Sequence, residues 1–181
     1  MVLKVPAYNG TLTPPDRERV RALRRHLVEF MRDAREVKRE KVHAGTEPGG
    51  FAGQVARAAC TVCKGWCCSK GDAHAYLDGP SLLRVRREHP DLNAWEIIRR
   101  YTSAVASPGF AGSCVFHGPQ GCTLERGLRS DLCGKYFCSE LGAFVSDAEE
   151  PPVEVRVYAT DPAGKAHRQV RVRQTVGRKS G

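Results

Sequence analysis

The residues of this chain that could do chemistry are its cysteines. All eight fall into two groups, four within nine residues and four within twenty-five. The upstream group is Cys60, Cys63, Cys67 and Cys68, and the downstream group is Cys114, Cys122, Cys133 and Cys138. Because thiolates are soft ligands that hold zinc and iron–sulfur clusters, this clustering predicts a metal centre.

The spacing within each group limits how the thiols could be used. Cys60-x2-Cys63 places two cysteines one turn apart, which lets both sulfurs reach one ion. The adjacent pair Cys67-Cys68 is harder to fit into one mononuclear site; the two thiols could serve different ions, bridge within a cluster, or divide ligand and non-ligand roles. The downstream group has no Cys-x2-Cys chelate of its own. We therefore predict that the two groups share ligands in one centre.

Disulfides and simple buried thiols are the competing interpretations of the cysteines. The first fifteen residues lack the apolar core of a signal peptide, which predicts a cytoplasmic protein with reduced thiols. Eight cysteines in 181 residues fall below the roughly 8–10% typical of secreted disulfide scaffolds. No apolar run approaches the ~20 residues that span a bilayer, so no membrane partner is expected.

The cysteine motifs resemble those of a known family. Cys60-Thr61-Val62-Cys63-Lys64-Gly65-Trp66-Cys67-Cys68 is similar to the CxxCxxxCC signature of the YkgJ-like cysteine-cluster proteins. Cys114-Val115-Phe116 and Gly121-Cys122-Thr123-Leu124 are similar to the downstream part of that family. Members are described as a zinc- or iron-chelating domain, and flagellin lysine N-methylases carry a related cluster. The resemblance covers residues 57–142 and implies that the cysteines bind metal.

Three functions are open at this point. The first is a metal-binding protein that holds zinc or an iron–sulfur cluster through its eight cysteines. The second is a metal-dependent enzyme; the resemblance suggests methyl transfer to a protein or small molecule. The third is a zinc module that binds nucleic acid through the formal charge of +9. The basic residues are spread along the chain, without a basic helix with interleaved aromatics beside the cysteines, which disfavours nucleic acid.

A few other side chains are candidates near the cysteines. His117, between Cys114 and Cys122, could replace a thiolate as a ligand, and His74 could do the same for the upstream group. Trp66, beside the double cysteine, is expected to shield the metal from solvent.

Three residues around the last two cysteines are also candidates. Arg129 and Lys135 could donate hydrogen bonds to thiolates or bind an acidic substrate. Asp131 is expected to be the N-cap of a helix that carries Cys133. Family members often have Arg-Pro ahead of this cysteine, where this chain has Arg129-Ser130-Asp131.

The N-terminal segment predicts a long amphipathic helix over about 14–42. Thr13 is expected as its N-cap, with proline in the first helical position. Apolar residues recur at helical spacing from Val20 to Val37, including Leu23, Leu27 and Met31. This stripe predicts packing onto the cysteine domain or onto a partner, including a second copy of the chain. The charged residues between them predict a solvated face.

The remaining patterns complete an α+β fold that is mainly helical, with metal-bearing cysteine loops and a C-terminal β-hairpin. We expect helices over 55–63 (ended by Gly65), 80–88, 93–105 (opened by a capping box) and 131–141. We expect a strand over 74–77 and hairpins around 118–121 and 161–164. The predicted segments are 1–50 (N-terminal helix and linker), 51–145 (cysteine domain) and 146–181 (hairpin and tail).

Overall fold

The computed structural model describes residues 1–33, 48–146 and 152–174. Over these residues the fold is α+β, with six α-helices and three small sheets. The described residues divide into two compact units. The first contains residues 1–8, 48–66, 137–146 and 152–174, and the second contains 9–33 and 67–136. Each unit therefore combines parts of more than one of the segments predicted from sequence.

The first unit is a three-stranded sheet covered by two helices. Strand β1 (Val2–Pro6) runs parallel to β6 (Glu154–Thr160), and β6 is antiparallel to β7 (Ala166–Arg173). Helices α2 (Gly50–Cys63) and α6 (Ser139–Ser146) pack on this sheet. Alternate residues of β6, including Val155 and Val157, are fully buried in the resulting core. The predicted C-terminal hairpin is confirmed.

The second unit is mainly helical. Its helices are α1 (Arg17–Asp33), α3 (Gly79–Glu88), α4 (Ala94–Ser103) and α5 (Asp131–Lys135). Two short antiparallel ladders complete it: β2 (Leu12–Thr13) with β3 (Gly109–Phe110), and β4 (His117–Gly118) with β5 (Gly121–Cys122). The second ladder is the hairpin predicted around 118–121. 3₁₀ helices cover Trp66–Lys70 and Arg126–Leu128.

The α1 stripe packs inside the second unit. Leu23, Leu27 and Met31 are buried in a core that also includes Ile97 and Cys114. The prediction that the stripe covers the cysteine domain is thus confirmed over the described part of α1. The helix begins later than predicted, because Asp16 caps it: the Asp16 side chain accepts from the Glu18 amide at 2.8 Å. Residues 34–47, where the predicted helix continued, lie outside the described residues.

Several other predictions are confirmed, and several are wrong. The α3 helix and the α4 capping box, with Asn93 and Glu96 bonded reciprocally, match the sequence prediction.

The strand expected over 74–77 is instead a turn, since Ala75 and Tyr76 have φ of 53° and 56°. The helix expected over 131–141 is two helices, α5 and α6. The left-handed residue that caps α2 is Lys64, before Gly65.

The buried stripe of α1 gives a first testable prediction. Leu27 is 0% exposed, so Leu27→Ala removes buried methyl groups and leaves a cavity that neighbouring helices cannot fill. We expect a loss of about 2–5 kcal/mol in the free energy of unfolding, measured by urea titration. Leu12→Ala, at a site 43% exposed, is the matched control and should change stability little. Equal effects of the two changes would show that the stripe is not buried.

Candidate metal centre

Five of the eight cysteines come together in the second unit. They are Cys67 and Cys68 from the upstream group and Cys114, Cys122 and Cys133 from the downstream group; we call these five the thiol cluster. Their thiols act electrostatically on one another: Cys68 is affected by Cys114 and Cys122, and Cys133 by Cys67 and Cys122. The structure therefore mixes the two sequence groups, as the predicted ligand sharing requires.

The other three cysteines belong to the first unit. Cys60 and Cys63 lie one turn apart near the end of α2, and Cys138 lies directly before α6. Cys63 and Cys138 act electrostatically on each other, so here too an upstream cysteine lies near a downstream one. All eight cysteines are free thiols in the structure. A single centre holding all eight stays a prediction.

The Cys68 carbonyl joins two loops of the second unit, one at residues 68–71 and one at residues 113–114, through hydrogen bonds. The Cys68 carbonyl accepts the Gly71 amide at 3.1 Å, the Cys114 amide at 2.8 Å and the Ser113 hydroxyl at 2.8 Å. Gly71 also lies against Cys114: a Cβ at position 71 would be 2.7 Å from the Cys114 Cβ. Only glycine, which has no Cβ, permits this close approach. Gly71 therefore allows the loop of Cys68 and the loop of Cys114 to lie close together.

The buried His117 stabilises the connection between these two loops through Ser113. It is fully buried, and its Nδ1 lies 2.6 Å from the Ser113 hydroxyl oxygen. Since the hydroxyl proton goes to the Cys68 carbonyl, we assign the His117 proton to Nδ1, which donates to Ser113. His117 is thus connected to Cys68 through the Ser113 hydroxyl, and its role as a metal ligand stays a prediction. The His74 ring lies 5.2 Å from the His26 ring.

The other cysteines of the thiol cluster are placed by a strand and a short helix. Cys122 ends β5, opposite His117 of β4. Cys133 is in the first turn of α5, where the Ser130 side chain accepts its amide at 3.1 Å. Ser130 is therefore the N-cap, and the expectation that Asp131 caps this helix is wrong. Asp131 instead pairs with Arg84 at 2.7 Å.

Arg84 holds the segment that leads from Cys122 to Cys133. Its guanidinium donates to Asp131 at 2.7 Å, to Glu88 at 2.9 Å, and to the carbonyls of Gly127 and Arg129 at 2.8 and 2.6 Å. The side chain is only 12% exposed. Sequence analysis missed this residue, because an arginine in the middle of an amphipathic helix has no pattern that distinguishes it from a solvated one.

Several cysteine sulfurs accept backbone amides from residues just ahead in the chain. The Phe116 amide lowers the pKa of Cys114 and the Leu124 amide lowers that of Cys122, and each amide is two residues further along the chain than its cysteine. In the first unit, Cys63 accepts from the Trp66 amide at 3.3 Å and Cys138 accepts from Leu141, each three residues on. Amides aimed at sulfur stabilise the thiolate form, which is the form that binds metal.

Cys67 and Cys68 behave as one titrating pair. A hydrogen bond between their thiols lowers the pKa of Cys67 to about 7, aided by backbone amides and Arg129. The same hydrogen bond, with burial, raises the pKa of Cys68 far above its ordinary range. One proton is therefore lost easily and the second is held strongly. The pair faces a shared set of thiols, consistent with a bridging role or with division between ligand and non-ligand roles.

The rest of the thiol cluster resists ionisation. Burial raises the pKa of Cys114 to about 12 and also raises the pKa of Cys122 and Cys133, and the neighbouring thiols add to this. Arg129 opposes the effect: its charge lowers the pKa of Cys122 and favours the thiolates of Cys67 and Cys133. Arg129 therefore lies where it favours the thiolate forms of the cluster, and a hydrogen bond from it to a thiolate stays a prediction.

Tyr76 is a residue of the site that sequence analysis missed. Its pKa is raised by burial and by the charges of four members of the thiol cluster, so its phenol lies within electrostatic range of them. The left-handed backbone of Ala75 and Tyr76 costs roughly 1–3 kcal/mol at each residue, and such strain concentrates at functional sites. No pattern in the sequence signals it, because neither residue type favours this conformation.

Trp66 and Lys135 are less involved than expected. Trp66 is 41% exposed and packs edge-on against Tyr8 of the first unit, with ring centroids 6.5 Å apart. It lies one residue from the thiol cluster along the chain, and its backbone amide donates to the Cys63 sulfur. Lys135 ends α5 as an exposed residue.

The donor chemistry fits a metal, while the geometry is not that of a finished metal shell. Among the described residues, no group of three or more His, Cys, Asp or Glu side chains could hold an ion as placed. Zinc or an iron–sulfur cluster would have to draw the sulfurs inward and replace their protons.

The raised thiol pKa values predict how the metal-free protein responds to pH. When the pKa of a thiol is higher in the folded state than in the unfolded state, rising pH removes the proton from the unfolded chain first. Deprotonation therefore favours the unfolded state once the pH exceeds the unfolded-state pKa. We therefore expect the reduced, metal-free chain to lose stability as pH rises through about 8.5, the ordinary thiol value. Urea unfolding with chelator at pH 7 to 10 measures this. A stability that increases over that range would contradict the raised pKa values of Cys114, Cys122 and Cys133.

Comparisons with known proteins add no relative. No protein-family model, no curated protein and no solved structure matches the chain. Within the described residues, no helix has both the length and the apolar character required to cross a membrane.

Proposed function

We propose that this chain is a metal-binding protein whose thiol cluster holds zinc or an iron–sulfur cluster. The observation that carries the proposal is the convergence of five cysteines, drawn from both sequence groups, in one unit. Two loops joined at the Cys68 carbonyl, a strand end and a capped helix turn each contribute a thiol or a thiol pair. A buried cysteine serving only as a small hydrophobe would not require this convergence.

The charge balance of the thiol cluster supports the proposal. Five neighbouring thiols cannot all ionise beside one another without a cation, because each raises the pKa of the others. Arg129 supplies one positive charge at Cys122. A divalent ion or a cluster would supply the rest, so the amides aimed at Cys114 and Cys122 would then donate to thiolates.

Metal binding would be coupled to the folding of the second unit. The thiols lie between residues 67 and 133, on several elements that are separated along the chain. Drawing them onto one centre would fasten these loops together, so the free energy of binding would become part of the free energy of folding. The enzyme alternative and a cytoplasmic location stay predictions from the sequence.

Elemental analysis and an absorption spectrum of anaerobically purified chain test the proposal. Iron and sulfide with broad brown absorption would identify an iron–sulfur cluster. A colourless protein with stoichiometric zinc would identify a zinc site. Fully reduced chain that takes up neither zinc nor a reconstituted cluster, although folded by circular dichroism, would refute the proposal.

A further inference from the structure

The solvent face of α1 is strongly basic. The exposed residues on this face include four arginines with side chains directed to solvent: Arg21, Arg24, Arg25 and Arg32. Arg21 and Arg25 are 71% and 68% exposed. Glu18 pairs with both of these arginines at 3.6 and 3.3 Å, and Glu29 also lines the face. Four guanidinium groups against two carboxylates leave a positive surface.

An exposed tryptophan from another helix completes this surface. Trp95, in the first turn of α4, is 63% exposed, which is rare for so large an apolar side chain. Together with Val28 and the four arginines it lines an open groove of about 650 Å³. We call this feature the basic groove. It is built entirely within the second unit, and none of its residues belongs to the thiol cluster.

We propose that the basic groove binds single-stranded nucleic acid, with the arginines on phosphates and a base stacked on Trp95. Positively charged grooves with an aromatic platform are the common design of sequence-tolerant single-strand binding. From Arg21 to Arg32 the helix rises about 16 Å at ~1.5 Å per residue. At about 3.4 Å per nucleotide of a stacked strand, this length matches four or five phosphates.

The tryptophan favours nucleic acid over other anionic partners. Carboxylates of an acidic peptide would satisfy the arginines and leave the indole in water, whereas every base has a face that stacks on it. A membrane surface would need a broader apolar face than Trp95 and the half-buried Val28 provide. The groove could not be predicted from the sequence, because Trp95 lies more than sixty residues from the α1 arginines and meets them only in the fold.

Fluorescence of a single-tryptophan chain tests the proposal directly. In Trp66→Phe, made in the full-length protein, Trp95 is the only indole. Titration with a strand of about 12 thymidines should quench it, with a dissociation constant of about 10⁻⁴–10⁻⁶ M at physiological salt. Arg24→Glu and Arg32→Glu should weaken binding, and each should reduce the slope of log affinity against log salt by about 0.7 for every phosphate that the variant no longer neutralises.

Matched variants separate this site from general positive charge. Arg87→Glu makes the same charge change at an exposed residue of α3 that does not line the groove, and should leave binding nearly unchanged. Glu29→Gln should strengthen binding. Trp95→Ala removes the fluorescent probe, so its binding is measured by the anisotropy of a dye-labelled thymidine strand. It should bind at least about fivefold more weakly than the parent chain in the same assay, as loss of one stacked base predicts.

Four outcomes would overturn the proposal. They are no binding of the thymidine strand, equal losses for Arg87→Glu and Arg24→Glu, an affinity independent of Trp95, and tighter binding of polyglutamate or anionic vesicles than of the strand. The last outcome would assign the groove to an acidic protein or a membrane surface. Because the titration does not depend on metal content, it is decided separately from the metal-binding proposal.

Discussion

Cys133→Ser should remove bound metal from the second unit and loosen the loops that carry the other thiols. Cys133 is exposed, so the substitution costs little in packing, but a serine hydroxyl cannot replace a thiolate on a soft ion. We expect loss of most of the bound metal and faster amide hydrogen exchange around Cys68 and Cys114. The reason is that the metal would link these loops to α5 as part of the folding free energy.

A neighbouring substitution on the same helix serves as the control. Leu132 is 50% exposed, and Leu132→Ser introduces the same side chain one residue earlier without removing a thiol. It should retain metal and exchange protection. Cys133→Ser with full metal content and unchanged protection at residues 67–72 and 113–117 would exclude Cys133 from the centre.

Arg84→Ala should strongly destabilise the second unit. It would remove the ion pair of Arg84 with the Asp131 carboxylate, which is 18% exposed. It would also remove the hydrogen bonds that Arg84 donates to the Gly127 and Arg129 carbonyls. Breaking a buried charge pair from one side typically costs about 3–5 kcal/mol. Because Arg84 anchors the segment between Cys122 and Cys133, we also expect weaker metal retention.

Arg87→Ala on the same helix is the matched control, since Arg87 is exposed and should contribute less than about 1 kcal/mol. Asp131→Asn added to Arg84→Ala should recover part of the lost stability, because it removes the unpaired charge. A loss below about 1 kcal/mol for Arg84→Ala, by urea unfolding, would contradict the role assigned to this residue.

Local signals in the sequence were sufficient for much of the fold. The capping box at Asn93 determines the start of α4, and alternating valines on either side of Asp161 to Gly164 indicate the C-terminal hairpin. These features depend on neighbours a few residues apart. The stripe of α1 was likewise predictable, because helical periodicity reports which side chains share a face.

The failures have a common physical origin in long-range contacts. The sequence pattern predicts a strand over 74–77, but packing holds Ala75 and Tyr76 in a left-handed turn beside the thiols. Asp131 matches an N-cap by type, yet Arg84, 47 residues away in sequence, takes its carboxylate.

The candidate site was predictable in residue type and not in grouping. Spacing along the chain divides the cysteines into two sets of four, whereas the fold places five in one unit and three in the other. Spacing did lead us to expect that cysteines of the two sequence groups lie together, while the sharing of metal ligands between them stays a prediction. Which thiols meet could not be predicted, because it depends on how the loops at Cys68 and Ser113 are joined.

Differential alkylation of the thiols tests the central claim most directly. Cys67 and Cys133 are the exposed members of the thiol cluster, so iodoacetamide can reach both in the metal-free, reduced chain. Cys67, whose pKa is lowered, should react rapidly, and Cys133, whose pKa is raised, should react more slowly, because the thiolate is the nucleophile. In the metal-loaded chain both should be protected together, and chelation should restore their reactivity. Equal labelling of Cys67 and Cys133 with and without bound metal, quantified by mass spectrometry, would contradict a metal centre at the thiol cluster.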